Sequence, residues 1–508
     1  MARNVILGGE VRARDAGGRT SYEWILTLAS LLLAVVIGMA GGGNLGLFFL
    51  AVLIAVTGVA VGTPATIWGG RSPAGLLAER IYSVIRHRTG SNVFNPEHQP
   101  NAPVEGKKSF KSARRPQNTA PLMVGNVRIT DVPFAVGTQA SIFRQQIGGP
   151  SFYTIILEVQ GAASGVQEED FEDASHIGWG QVLARCARRT SPISHVQSFA
   201  RSVPSDITDH TQWLSGYISP EANDEVLRSY QDLCLEADSR AEQHRSYVVL
   251  RFNSSVLLTR MATANGGGLE GTYRVILNET RAVMELAISL NAITAYRPLD
   301  QALTASLFAH CQDPYTYAID DYGNTSLETV WQHLDGNASK HGIQVNGKGF
   351  TRIGYIPRDG FEVGELPVQS LKHLVAGIYP PVIHSVSWIN ALEDVQQARA
   401  KARRHRTRDY AKKRERAKKG TLSDGTDEVM LGASEQRAQD LMPGQGHHGA
   451  SWAAYLSYTV EQEDQLESVA THIEAAASNA GIRNIHWLDL KQDLALPAVL
   501  PLGRGIRS

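Results

Sequence analysis

Apolar residues follow three patterns along the 508-residue chain, and each predicts a different kind of element. Near the start they are continuous. From Trp24 to Gly62 no residue is charged, and only Gly41, Gly42, Gly43 and Asn44 interrupt the run. At about 1.5 Å per helical residue, each half reaches roughly 25–27 Å, close to the ~30 Å hydrocarbon core of a bilayer. Neither half carries the polar stripe at a 3.6-residue period that a helix on a water-facing core shows. The pattern predicts a transmembrane hairpin within residues 1–70. Small residues at Ala34/Gly38 and Gly58/Gly62 are spaced to let its helices approach closely.

The second pattern is amphipathic. Ser72 and Pro73 read as N-cap and first helical residue, and Leu77, Ile81, Val84 and Ile85 then share one face. That helix either lies among lipid headgroups or opens the next domain. From Thr89 to Pro121 the chain is polar and basic with five prolines, the composition of a semi-stiff linker. Residues 71–121 therefore form a juxtamembrane helix and linker. Lys and Arg are dense after the hairpin and absent from its turn, which predicts a multi-pass plasma-membrane protein with both termini cytoplasmic.

The third pattern mixes alternating and apolar runs with helical stretches. Strands are expected at Phe152–Val159, Ile193–Val203 and Tyr247–Phe252, with helices at 168–189, 221–240 and 271–292. These make residues 122–300 a first α+β unit. A middle α+β unit, 301–398, has strands at Gly342–Val345, Phe350–Ile356 and Val382–Trp388 and a helix at 368–376. Residues 450–508 read as a βαβ unit: strand Trp452–Val460, helix Glu463–Ala480 closed by Gly481, strand Ile482–Leu490. With no Gly-rich nucleotide fingerprint, the order suggests a cytoplasmic ferredoxin-like α/β sandwich, an α+β class overall.

Charge changes this picture at one place. Lys and Arg total 49 against 50 Asp and Glu, a net of −1, so the chain as a whole is not a polycation. Yet Arg399, Lys401, Arg403, Arg404, Arg406, Arg408, Lys412, Lys413, Arg414, Arg416, Lys418 and Lys419 are opposed only by Asp409 and Glu415. Alanine spacing predicts a cationic helix there, with contact to nucleic-acid phosphates, to anionic lipid or to an acidic protein as its open roles. A mobile polar loop is expected from Gly420 to Gly449, so 399–449 counts as basic helix and loop.

Candidate chemistry is sparse. Gly342-x-x-x-x-Gly347-Lys348-Gly349 approaches a P-loop, but Gly349 stands where a Mg²⁺-holding hydroxyl is needed, and a strand follows instead of a helix. A β-turn is the better reading. Cys186, Cys234 and Cys311 share no metal-ligand spacing, and His447-His448 is a solvated pair. No catalytic, cofactor or metal residue is assigned, and no cofactor is expected.

Several segments together carry a resemblance. They are the apolar hairpin, the stretch from Tyr153 to Pro204, Tyr355-Ile356-Pro357-Arg358, the basic run, and the ending from Lys491 to Gly505, KQDLALPAVLPLGRG. The chain resembles a family of actinobacterial membrane proteins encoded in conjugative elements and associated with type IV secretion. Its later part is similar to the amino-terminal, non-ATPase domain of conjugation ATPases, and its hairpin to their PrgI-like membrane partner. The resemblance implies a non-enzymatic inner-membrane scaffold subunit of a conjugative DNA-transfer complex that docks a separate ATPase. Other secretion subunits, membrane lipid, DNA and further copies of the chain are the other implied partners. The alternatives are a membrane-tethered DNA-binding protein and a type VII secretion membrane component. The chain ends at Ser508, where a motor domain would start in those ATPases, so no catalytic residue carries over.

Overall fold

The structure is a computed structural model. It describes residues 4–7, 21–40, 42, 45–62, 73–96, 120–121, 123–147, 149–161, 169–204, 214, 216–218, 223–238, 242–319, 330–357, 360–362, 364–418, 426–442 and 448–505. The chain divides into two units, one of residues 10–92 and one of residues 1–9 with 93–508.

In the larger unit the strands in chain order are β1 Asn4–Leu7, β2 Val93–Phe94, β3 Asn126–Ala135, β4 Thr138–Gln146, β5 Phe152–Gln160, β6 Ile193–Pro204, β7 Glu242–Asn253 and β8 Ala295–Pro298. They continue as β9 Leu334–Asp335, β10 Ile343–Val345, β11 Gly349–Ile356, β12 Gly364–Pro367, β13 His384–Glu393, β14 Gly449–Val460 and β15 His486–Trp487. Among the described residues, thirteen of these form one sheet in the order β2-β9-β10-β11-β14-β13-β6-β7-β5-β4-β3, with β15 beside β11 and β8 beside β5. Every pairing in it is antiparallel. Strands β1 and β12 pair separately.

The apolar run of β5 reflects burial on both faces of the sheet. Ile156, Phe199, Tyr247 and Val249 face a core shared with Phe308, Trp331, Leu500 and Leu502. On the opposite face Ile155, Leu157, Val196, Val248 and Leu250 pack against Val182 of the Glu169–Cys186 helix and Val283 and Met284 of the Gly268–Ser289 helix. Further along, Leu456 and Tyr458 of β14 pack on Ala470 and Ile473 of the Gln465–Asn479 helix.

The expected ferredoxin-like sandwich of separate units is overturned. Strands β5 and β6 lie on either side of β7, and β14 and β15 on either side of β11, but all belong to the same sheet. The join is β13, which pairs with β6 from His384↔Ser202 to Ala391↔His195 and with β14 along its other edge. Local periodicity finds strands without finding their partners, so this merger of distant segments was invisible in sequence. The C-terminal strand is shorter than expected, only His486–Trp487. The loop expected after residue 420 contains a helix, Thr426–Asp440. Two further helices went unforeseen, Val256–Ala264 and Gln301–Gln312. The second is started by the Asp300 carboxylate accepting from the Leu303 amide, and it is buried on every side, so it shows no amphipathic period.

The transmembrane hairpin is also overturned. Among the described residues no helix is long and apolar enough to cross a membrane. The multi-pass plasma-membrane placement with cytoplasmic termini falls with it. The smaller unit does contain two helices, Ser21–Ala40 and Leu45–Gly62. The two bury a seam of Thr27, Ala34 and Ala51, and the Ser30 hydroxyl donates to the Thr27 carbonyl at 2.8 Å. A Cβ on Gly58 would collide with Ser30, so close approach requires glycine there. Leu32 and Phe49 point outward and are exposed. The next helix spans Pro73–Thr89, with Leu77, Ile81, Val84 and Ile85 all exposed. Most of the Pro-rich linker, 97–119, lies outside the described residues.

Candidate nucleic-acid interface

The basic block forms a helix, Val395–Lys418, and the Thr426–Asp440 helix runs antiparallel along it. Ala398 and Ala402, four residues apart and on one face, are buried against Ala438 and Leu441. The Arg399 guanidinium donates to the Leu441 carbonyl, and Lys413 lies 3.2 Å from Glu428 at the other end of the pair. The small alanines that keep helix propensity high are therefore also the docking surface of a helical hairpin.

The structure sorts the twelve sequence-predicted cations. Arg399 and Lys413 are used inside the hairpin, Lys401 pairs with Glu393 at 2.6 Å, and Arg408 lies 3.4 Å from Asp409. Arg403, Arg404, Arg406, Arg414 and Lys418 are exposed and form no ion pair among the described residues. The side chains of Lys412 and Arg416, and the whole of Lys419, lie outside the described residues. At 100° per residue, Arg403, Arg404, Arg414 and Lys418 fall within an arc of about 100° opposite Ala398 and Ala402, and they span roughly 22 Å of axis. Four of the predicted residues thus share one outer face.

The near P-loop is a hairpin turn between β10 and β11. Asn346 and Gly347 both have positive φ (50° and 71°), and the Lys348 amide donates to the Val345 carbonyl at 3.0 Å. Among the described residues no helix N-terminus stands there for a phosphate, and the Lys348 ammonium donates to Thr316 Oγ1 at 3.0 Å. The Asn346 amide instead ties the turn to the core, donating to Asp313 Oδ2 at 2.7 Å and Gln332 Oε1 at 2.9 Å. Among the described residues no group of three or more His, Cys, Asp or Glu could hold a metal ion. His447 lies outside them.

Sequence reasoning missed a strip of charge across one face of the sheet. Arg201 of β6 is directly opposite Arg245 of β7, and Glu158 of β5 is directly opposite Arg297 of β8. Glu158 holds Arg245 at 3.2 Å through one oxygen and the Arg297 Nε at 3.1 Å through the other. Glu158, Arg245 and Arg297, with His244 and Tyr296, line a cleft of about 430 Å³. Beside it, burial pulls the His310 imidazole well below its ordinary pKa, helped by the Arg201 and Arg245 charges. Burial likewise lowers His384 to about 4 and His195 to about 3. These histidines are neutral at pH 7. The signal for this strip was faint, since each residue is a lone charge in a strand and only the pairing brings them together.

Compared with known proteins, the chain matches no family model and no curated protein.

What the sheet does show is how the ending that carried the resemblance is used. Leu500 and Leu502 are fully buried. Gln197 of β6 donates to the Leu500 carbonyl at 3.0 Å and accepts from the Gly503 amide at 2.7 Å. Gln145 of β4 donates to the Leu502 carbonyl and accepts from Arg504 Nε at 2.8 Å, while Arg504 also donates to the Met123 and Val124 carbonyls. Arg251 donates to the Gly503 carbonyl at 3.1 Å and stacks on Phe152 with its guanidinium 3.9 Å from the ring centroid. The terminal apolar segment is a strap clamped across one face of the sheet by glutamines and arginines.

Proposed function

We propose that this chain is a non-enzymatic scaffold subunit of a conjugative DNA-transfer complex and that it docks a separate ATPase. The proposal keeps the part of the resemblance carried by Tyr153–Pro204 and Lys491–Gly505, and it does not depend on a membrane span. The observation that carries the docking is the Asp224–Asp238 helix. Val226, Tyr230 and Leu233 fall at i, i+4 and i+7 on one face and are 64, 38 and 60 % exposed. Asp224, Glu225, Asp232 and Glu236 are exposed on the same helix. An apolar stripe of this spacing, rimmed by charge, is the geometry with which an amphipathic helix enters a groove on a partner.

The test is co-purification of the full chain with the conjugation ATPase of its own host, at low and high salt. Salt-resistant association that is lost in V226D/Y230D/L233D supports the proposal, because apolar docking is little screened. Association unchanged by those substitutions removes this helix as the docking face. No association at any salt overturns the scaffold reading.

A further inference from the structure

We propose that the outer face of the Val395–Lys418 helix binds duplex DNA through its phosphates, without reading sequence. The inference goes beyond ATPase docking and rests on a different element, so either can fail alone.

Three observations lead to it. First, the exposed cations are those left over once the hairpin has formed. Arg399 and Lys413 hold it together and Lys401 is paired, whereas Arg403, Arg404, Arg406, Arg414 and Lys418 are exposed and form no ion pair among the described residues. Four of them, Arg403, Arg404, Arg414 and Lys418, lie on the face opposite the packing seam, where a partner can reach them together. Second, that face is long and straight. Duplex DNA carries one negative charge per about 1.7 Å of axis, so an array of roughly 22 Å spans enough phosphates to engage four or five of them. Third, the other helix of the hairpin carries Glu428, Glu435 and Asp440. Its acids disfavour burying the whole hairpin in a groove, so contact is one-sided and limited to the backbone.

The same face argues against two other anions. Tyr410 is its one exposed large apolar or aromatic side chain among the described residues, too little for a stacking platform on single strands. For the same reason the helix lacks the apolar wedge with which amphipathic helices enter a lipid interface.

Counterion release makes the proposal quantitative. With four or five contacts, log K falls with log salt at a slope of about −4, and each lost contact costs about eightfold near 0.1 M salt. The experiment titrates the full chain against a labelled duplex of arbitrary sequence, a single strand of equal length, and phosphatidylcholine vesicles containing phosphatidylglycerol. Each titration is repeated across salt. The expected result is duplex binding with that slope, weaker single-strand and vesicle binding, and a loss of at least a hundredfold in R403Q/R404Q/R406Q/R414Q/K418Q. Lys401→Gln, which removes a cation already paired with Glu393, should change duplex affinity by less than threefold. Gln keeps helix propensity, and R404Q/R414Q provides a milder variant with a smaller loss and a salt slope shallower by about 2. Absence of duplex binding at low salt overturns the proposal. So does binding that the five substitutions leave intact, or tighter binding to single strands or vesicles than to duplex.

Discussion

Arg201 stands directly opposite Arg245 across β6 and β7, yet among the described residues only Arg245 has a carboxylate, Glu158 at 3.2 Å. Arg201 is 1 % exposed and donates to Ser385 Oγ at 2.9 Å and to the His310 carbonyl at 3.1 Å. That carbonyl belongs to the last turn of the Gln301–Gln312 helix, whose C-terminal end carries partial negative charge. The helix end therefore takes the place of an acid in stabilising a buried cation.

Removing that cation is expected to cost less than its burial suggests. Arg201→Met relieves desolvation and keeps volume, leaving mainly an unpaired His310 carbonyl, a loss of about 1–3 kcal/mol. Arg201→Ala adds a cavity and should cost about 3–5 kcal/mol. Denaturant titration of both variants distinguishes the cases. A larger loss for Met than for Ala would refute the role of the helix end.

Stability should fall in mild acid. His384 titrates at about 4 in the fold, lowered first by burial and then by the Arg201 and His244 charges, with the Val382 carbonyl opposing. The unfolded chain takes up that proton near 6.5, before the native state does. The contribution is thus present above pH 6.5 and is lost as pH falls toward 4, up to roughly 3 kcal/mol for this group. His195, at about 3, extends the loss to lower pH, and His310 acts in the same direction. Thermal melts from pH 7.5 to 4.5 should show the decline, with a shallower slope in His384→Gln. An identical slope in that variant would assign the effect elsewhere.

The extent to which sequence foretold this architecture follows a physical divide. Elements with a strong local period were found within a few residues, among them β5, β6 and the Gly268–Ser289 helix. The turn between β10 and β11 was legible because the residues after it read as a strand, where a phosphate-binding loop would need a helix. The cationic helix was also legible, but which of its cations remain unpaired was not, since that depends on Ala438, Leu441 and Glu428 arriving from a segment read as a loop. The charged strip and the merging of two halves through β13 depend on pairings between strands far apart in the chain, which no local pattern encodes. The apolar N-terminal runs misled for the opposite reason. Composition alone invited a bilayer span, while Thr27, Ser30 and Gly58 form a seam between the helices.

The Asn346 turn offers a charge test. Its amide donates to Asp313 Oδ2 at 2.7 Å, and Asp313 is 1 % exposed. Asn346→Asp keeps the left-handed backbone but places two carboxylates together, at an expected cost of about 2–4 kcal/mol at pH 7. Asn346→Ala loses only the hydrogen bonds and some turn preference, about 1–2 kcal/mol. In acid the repulsion between the two carboxylates of the Asp variant is relieved by protonation, so its deficit relative to wild type at the same pH should shrink. A deficit that is constant with pH, or smaller than that of the Ala variant at pH 7, would show that the two side chains are not coupled.

The strap should open locally before the sheet unfolds. Gln197 holds it at two points, donating to Leu500 O at 3.0 Å and accepting from the Gly503 amide at 2.7 Å, and is itself anchored to β13 by donating to Ser387 Oγ at 2.8 Å. Gln145 holds the next carbonyl and Arg504. Gln197→Ala leaves two backbone groups of the strap unpaired and is expected to cost about 2–4 kcal/mol. Because Leu500 and Leu502 remain inserted in the core, the first consequence is local. Hydrogen exchange at the Gly503 amide should accelerate strongly, while amides in the middle of β7 change only as far as global stability changes. Gln145→Ala acts on the same segment, so the two substitutions should be non-additive by about 0.5–3 kcal/mol. Equal acceleration at Gly503 and in β7, together with strict additivity, would mean that the ending is simply one more part of the core and not a strap with its own opening.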